Sequence, residues 1–318
     1  MKLGNRFLYS LLFLPTLLTA QKIDNTVSFR DIPHDRYFRF NYENDYFAAT
    51  DENYTQGYNL ELVLPKLKKN PINYLMLKPE ADLYKYGISV EHIGYTPNDY
   101  VSSDIQFGDR PFASAIMLKS FVIATNSIKK SRLSQSFSLG LIGPAAFGKE
   151  MQVSIHKATG NKIPYGWKNQ IKNDIVINYR IDYEKLIFNF RDVFEVRPNA
   201  TLQIGTLFTN ASIGGVVSMG WLNQNLLKNK KDFQLYLFSQ PLVSVVGYDA
   251  SLQGGFFNDR SPYTISSKNL ERFTAQFNYG LVLKTTTLFL EYSRTAISRE
   301  FKSGNSAKWG GIKIGLAF

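Results

Sequence analysis

From about residue 36 to the end, the chain alternates apolar and polar residues at every second position in run after run, and this constrains its fold more than any other feature. Phe38, Phe40 and Tyr42 alternate with Arg39, Asn41 and Glu43, and Ile175, Ile177, Tyr179, Ile181 and Tyr183 with Asn178, Arg180, Asp182 and Glu184. Phe273, Ala275, Phe277 and Tyr279 repeat the pattern late in the chain. Successive side chains of a strand point to opposite faces, so each run has one apolar and one polar face. About twelve such runs are expected, near 36–44, 56–64, 84–95, 112–125, 134–142, 174–190, 193–208, 211–222, 232–248, 268–283, 286–297 and 307–318. Polar interruptions at 45–55, 96–111, 143–173 and 249–267 each follow an odd-numbered run, which places all four at one end of the sheet. The 65–83 connection is also long but falls at the other end, where it fits the scheme least well.

Strands of this kind build either a soluble sandwich or a membrane barrel, and three features favour the barrel. Residues 1–20 read as a secretory signal, with Lys2 and Arg6 before an apolar core from Phe7 to Leu18, too short to span a bilayer. The exported chain has no cysteine, which also removes disulfides, thiolate metal sites and cysteine nucleophiles. Aromatics crowd the run ends, and the C-terminus alternates through Trp309, Ile312, Ile314 and Leu316 to a terminal Phe318, similar to the insertion signal of bacterial outer-membrane proteins. The expected fold is therefore all-β, a single antiparallel transmembrane barrel over 21–318 with a short helix in an extracellular loop. Loss of Lys2 and Arg6 takes the formal charge from +11 to +9. For an exported chain that excess points to anionic lipid surfaces and not to nucleic acid.

The interruptions carry the chemistry. The first places Asn44 and Asp45 before Asp51, Asn53, Tyr54, Thr55 and Gly57, a composition suited either to a hard cation or to an acidic hairpin loop, without EF-hand spacing. The second holds Gly108, Asp109, Arg110, Pro111 and Phe112, a run that pins a loop by ion pairing and a fixed backbone angle. In the third, Gly143 and Pro144 open a helical stretch from Ala145 to Lys157, which Gly160 stops. Gln152 and His156 stand four residues apart, on one face of that helix. Trp167 and Gln170 follow near the next strand, and His34 and His92 are the other histidines.

These motifs, in this order and on one side of the sheet, resemble the outer-membrane lipid A 3′-O-deacylases of the LpxR family. The resemblance spans most of the mature chain and is most specific between residues 38 and 175. It implies a twelve-stranded barrel, the number against which the runs above are set, with its active site near the extracellular rim between the wall and a loop helix. It implies calcium-dependent hydrolysis of the 3′-linked acyl esters of lipid A in the outer leaflet. By the match His156 is the general base for a water, Asp45 holds Ca²⁺, Asn44 and Thr55 serve as metal ligands or oxyanion donors, and Gln152 positions the histidine or the metal shell. The plan looks like that of secreted calcium-dependent phospholipases and needs no serine nucleophile; no Gly-x-Ser-x-Gly or His-Glu-x-x-His is present. Expected partners are lipopolysaccharide, membrane lipids and the barrel-assembly machinery, with the protein a monomer. Lys157, Lys162 and Lys168 are either solvated loop charges or contacts for lipid phosphates. The competing readings are a non-catalytic porin or adhesin, which requires a continuous aqueous lumen, an omptin-like protease and a Ser–His lipase.

Overall fold

The structure, a computed structural model, describes residues 32–48, 53–222 and 233–318. The expected signal segment 1–20 and Asp51 lie outside the described residues. Thirteen strands form one antiparallel sheet: β1 (Tyr37–Asn44), β2 (Asn53–Val63), β3 (Leu83–Thr96), β4 (Ala113–Asn126), β5 (Ser131–Ile142), β6 (Asp174–Lys185), β7 (Phe188–Phe190), β8 (Phe194–Gly205), β9 (Phe208–Trp221), β10 (Gln234–Asp249), β11 (Phe273–Lys284), β12 (Leu288–Ile297) and β13 (Ala307–Ala317). β13 pairs back onto β1, from Tyr37 opposite Ala317 to Asn44 opposite Gly310, and β6 pairs with β8. The sheet is therefore a closed barrel of twelve staves, with β7 a three-residue spur on β8. No helix among the described residues is long and apolar enough to cross a membrane; the crossing is made by strands.

Several expected boundaries move by three or more residues, β5 starting at 131, β9 at 208 and β8 ending at 205, and three of the shifts have a clear local cause. The run at 174–190 breaks after Lys185, because β5 pairs no further than Ser131 opposite Lys185 and the chain then continues against β8 alone. β2 starts at Asn53 and not 56, which brings Thr55 into the wall. β11 starts at Phe273 and not 268, because Ser267–Asn269 forms a helical turn and Leu270 makes only an isolated bridge to Phe301.

Alternation sorts the two faces. Outward go Phe38, Leu60, Val90, Leu118, Leu139, Ile177, Leu237, Ile312 and Ile314, all exposed apolar side chains suited to a hydrocarbon belt. Exposed aromatics fringe both ends: Phe188, Trp221, Phe233 and Phe318 on the side of the C-terminus, and Tyr46, Phe147, Phe256 and Phe257 on the side of the long loops. Inward-facing side chains pack in layers across the lumen. Tyr54, Ile93, Met117, Ile142, Val176 and Trp309 belong to an apolar cluster under the long loops. Tyr37, Phe121, Tyr236, Phe238 and Phe289 belong to another toward the termini. Buried ion pairs occupy the polar positions, Arg39 with Glu61 at 2.8 Å, Lys119 with Glu91 at 2.5 Å, Lys313 with Glu291 at 2.5 Å and Arg132 with Glu184 at 3.0 Å. The Arg39 guanidinium grips both Glu61 oxygens, and Tyr37 donates to Oε1 at 2.7 Å. Among the described residues, the lumen is thus occupied by apolar clusters and paired charges.

At the loop end Arg110 ties three connections together. Its Nη1 meets Glu300 Oε2 at 2.9 Å, its Nη2 donates to Ser251 Oγ at 3.3 Å, and its guanidinium lies 4.1 Å from the Tyr95 ring centroid. Asp109 accepts from the backbone N–H of Asn98 at 2.8 Å and of Arg110 at 2.7 Å, so the Asp-Arg-Pro run pins its loop as expected, through a partner 190 residues away. Burial, reinforced by the charge of Asp249, pushes the Glu300 carboxyl up to about 7 against the pull of Arg110.

Two outcomes follow from these pairs. Arg39→Met strips the bidentate partner from a buried carboxylate and is expected to lower unfolding stability by about 3–5 kcal/mol. Urea titration in detergent micelles, followed by tryptophan fluorescence, measures it; a loss below about 1 kcal/mol would show that Glu61 is satisfied without the arginine. For Glu300, a carboxyl held above its unfolded value stabilises the folded rim fully below the ordinary glutamate range and loses that contribution as pH rises through about 7. The melting temperature of the native protein, taken relative to Glu300→Gln, should therefore fall between about pH 5 and 8. A difference independent of pH would contradict the raised value.

Candidate active site

The odd residues of β3 and β4, such as Glu91 and Lys119, face the lumen, so His92, Gly94, Thr96, Ser114 and Ile116 face outward. Pairing extends this outer strip sideways. Asn44 lies opposite Gln56 and Gln56 opposite Gly94, while Tyr42 lies opposite Tyr58 and Tyr58 opposite His92. The Tyr42 and Tyr58 rings stack with centroids 5.0 Å apart. A bulge between Tyr54 and Gln56 makes Thr55 an extra residue in β2, and its hydroxyl sits 2.5 Å from that of Thr96. Asp45 follows β1 directly, starts the helical turn Asp45–Ala48, and is 2% exposed. Asn44 Oδ1 accepts from the backbone N–H of Tyr46 at 2.7 Å, a local turn bond that occupies its carbonyl and leaves its amide NH₂ as the polar end toward Tyr42.

Over this strip lies the third loop. Pro144–Ala146 makes a helical turn, Phe147 takes a left-handed conformation at φ 61°, and α1 then runs Gly148–Thr159. The helix thus starts three residues later than its composition suggests, because Phe147 breaks the first turn from the second. Gly160, at φ 72°, stops it where expected and donates its N–H to the His156 carbonyl. A Cβ on Gly148 would come within 2.4 Å of Ser114 Cβ, so only glycine lets the helix start seat this close to the wall. His92 Nε2 bonds the carbonyl of Ala146 at 2.9 Å and fastens the same segment to β3.

Gln152 and His156 form the buried face of α1, as their spacing implies. Gln152 Oε1 accepts from Trp167 Nε1 at 2.5 Å, and its Nε2 is buried with no hydrogen-bond partner among the described residues. His156 Nδ1 lies 2.6 Å from the backbone carbonyl of Lys162. A carbonyl only accepts, so Nδ1 carries a proton, and in the neutral ring Nε2 presents a lone pair. The Tyr100 ring meets the imidazole edge-on at 5.4 Å. The candidate residues fall into two groups, a wall set of Asn44, Asp45 and Thr55 at β1–β2 and Gln152 and His156 on α1, and the bond from His92 to Ala146 fastens the helix-bearing loop to β3. Asp109 and Pro111 stay with the rim tie, and Lys157, Lys162 and Lys168 are exposed.

Tyr100, Thr96 and the Lys162 carbonyl were not found from sequence. Tyr100 sits in a polar loop without periodicity, Thr96 reads as the end of a strand, and a carbonyl belongs to no residue type. Among the described residues no three His, Asp or Glu side chains gather as a metal cage. The donor types nevertheless suit a hard cation, with the buried Asp45 carboxylate and the Thr55 hydroxyl as the groups that would hold it.

Comparison with known proteins agrees with this architecture. No curated protein sequence matches the chain. LpxR from Salmonella typhimurium superposes with a TM-score of 0.73 at 16% identity, covering 89% of this chain and all of that one. The β domain of the Bordetella autotransporter BrkA aligns at 0.46 and 7% identity, covering 89% of this chain and 99% of that one. The family described as outer membrane protein LpxR matches residues 7–318. With that match running across nearly its whole length, the chain belongs to the LpxR family of outer-membrane β-barrels.

Proposed function

We propose that this protein is a lipid A deacylase that hydrolyses the 3′-linked acyl esters of lipopolysaccharide from the outer leaflet. The observation that carries the reading is His156. It is buried on α1 between the Lys162 carbonyl, which accepts its Nδ1–H, and the Tyr100 ring, and in the neutral ring its Nε2 is left as a base. An imidazole so oriented accepts a proton from water as that water attacks an ester carbonyl, and returns it to the leaving alkoxide. Atoms balance without a covalent acyl-enzyme, in keeping with the lack of a serine motif.

The wall set complements the base. Asp45 with Thr55 would hold Ca²⁺, which when bound supplies positive charge to the ester carbonyl. Asn44, its Oδ1 already engaged, offers its amide NH₂ as an oxyanion donor, and the spare Nε2 of Gln152 offers a second donor to water or substrate. Trp167 holds Gln152 in place from behind. The site lies on the outside of the barrel, which suits an amphiphile whose sugar headgroup stays at the rim while its chains run down the lipid-facing wall. The Salmonella protein shares this fold, and the family match supports the same substrate class.

The test is mass spectrometry of lipid A after incubation with detergent-folded protein. Loss of a 3′ acyl mass is expected with Ca²⁺ and not with EDTA. His156→Ala should lower the rate by about 10²–10⁴ while leaving the fold intact. Unchanged lipid A from folded native protein with Ca²⁺ would reject the deacylase reading, and undiminished turnover by His156→Ala would reject the base. Trp167→Phe keeps the ring but removes the Gln152 bond. It should reduce kcat by roughly tenfold with little change in KM, since a charge-neutral hydrogen bond contributes about 0.5–1.5 kcal/mol. A change confined to KM would assign Gln152 to ground-state binding instead.

A further inference from the structure

The connection from 64 to 82, on the side of the barrel with both termini, is not a surface loop. It makes two helical turns, Pro65–Lys69 and Pro71–Leu75, and then lies against the outer wall of β4–β6. Gln135 shows this best. It stands on the lipid-facing side of β5 between Val122 and Ile181, where a glutamine is out of place, yet it is 1% exposed. Its amide brackets Leu77, accepting from the backbone N–H at 2.7 Å and donating to the carbonyl at 2.9 Å. Tyr179, also on the outer face, donates to the Leu75 carbonyl at 3.2 Å, and Asn70 donates to Ser120 Oγ at 3.0 Å. Asn73 donates to the carbonyls of Leu67 and Lys68. Backbone groups satisfied from the wall are what a segment lying among lipids requires.

Its other side faces away from the protein and is apolar and basic together. Tyr74, Leu75 and Leu77 are exposed, at 84%, 55% and 55%. Lys66, Lys68, Lys69 and Lys78 are the only ionisable side chains apart from Tyr74 between residues 64 and 79, and none has a carboxylate partner among the described residues. The nearest acids are engaged elsewhere, Glu80 with Lys129 at 2.8 Å and Asp82 with Ser127 Oγ at 2.6 Å. A cavity of about 160 Å³ opens between this segment and the wall, lined by Lys68, Lys69, Asn70, Lys78, Tyr84 and Tyr86 among others. Lys78 Nζ sits 5.5 Å from the Tyr74 ring centroid.

We propose that this collar is a binding site for an anionic glycerophospholipid of the periplasmic leaflet, with the phosphate in the lysine-lined cavity and the acyl chains along Tyr74, Leu75 and Leu77. The occupant follows from the place and the chemistry. Exposed apolar side chains beside the lipid-facing wall need hydrocarbon, the ammonium groups lining the cavity next to them need phosphate, and a phospholipid supplies both. A free phosphate would meet the lysines but leave the apolar side uncovered.

Native mass spectrometry of the full-length protein, released from micelles doped with phosphatidylglycerol or phosphatidylcholine, tests this. The native protein should retain phosphatidylglycerol roughly tenfold better than phosphatidylcholine, and the quadruple variant Lys66→Gln, Lys68→Gln, Lys69→Gln, Lys78→Gln should lose that preference. Heat-modifiable migration on gels checks that the variant is folded, and Lys78→Gln alone, expected to weaken the preference partly, serves if it is not. Equal retention of the two lipids by the native protein overturns the proposal, as does a preference that survives in the folded variants. Displacement of the lipid by millimolar inorganic phosphate would assign the cavity to a free anion and also overturn it.

Discussion

In hydrocarbon an unpaired strand edge has no water to turn to, so the pairing of β13 with β1 is the interaction on which the rest of this molecule depends. Its register runs without a bulge from Tyr37 opposite Ala317 to Asn44 opposite Gly310. A slip of one residue would turn Arg39 and Glu43 toward lipid and Phe38 and Phe40 toward the lumen. Closure therefore decides which residues must find partners inside. Arg39, Glu61, Glu291 and Lys313 are affordable only because each meets an opposite charge across one or two strands. The same closure places Asn44 and Asp45 at the top of the outer wall, next to the bulge that brings in Thr55.

Two polar patches on the outer wall are each covered by a connection that folds back over them. Near the rim, His92 and Ser114 lie under the start of α1 and the turn before it. Near the termini, Ser120, Gln135 and Tyr179 lie under the collar. The common cause is the cost of a polar group in hydrocarbon, which removes such residues from the lipid face unless protein covers them. Both covered patches hold features with chemistry, the candidate site residues at the rim and the lysine-lined cavity near the termini.

This explains which parts were legible in the sequence. The staves were legible because period two is enforced along their whole length by the contrast between lipid and lumen. Their ends were not, since the split after Lys185 and the late start of β11 depend on how far a neighbouring strand extends. The helix pair Gln152 and His156 could be read from spacing between a proline and a glycine. Its anchor, the Lys162 carbonyl, could not, because a backbone group leaves no residue signal. Arg110 was legible as a pin, but its partner Glu300 was not, since nothing local links residues 190 apart. The awkward length of the 65–83 connection was visible, and Gln135 at an outward position was the unread clue to its place.

The outer position of the candidate site has an energetic logic for the proposed chemistry. Drawing an acyl chain from the bilayer into a lumen lined by ion pairs would expose it to polar surroundings, at about 0.8 kcal/mol for each methylene removed from hydrocarbon. A base carried on a loop outside the wall avoids that transfer, because only the ester has to leave the bilayer interface. What the site must supply instead is a dry polar pocket at the membrane edge. Gln152, Trp167, His156 and Asp45 are each buried, and the ties from His92 to Ala146 and from His156 to Lys162 hold the helix-bearing loop in place.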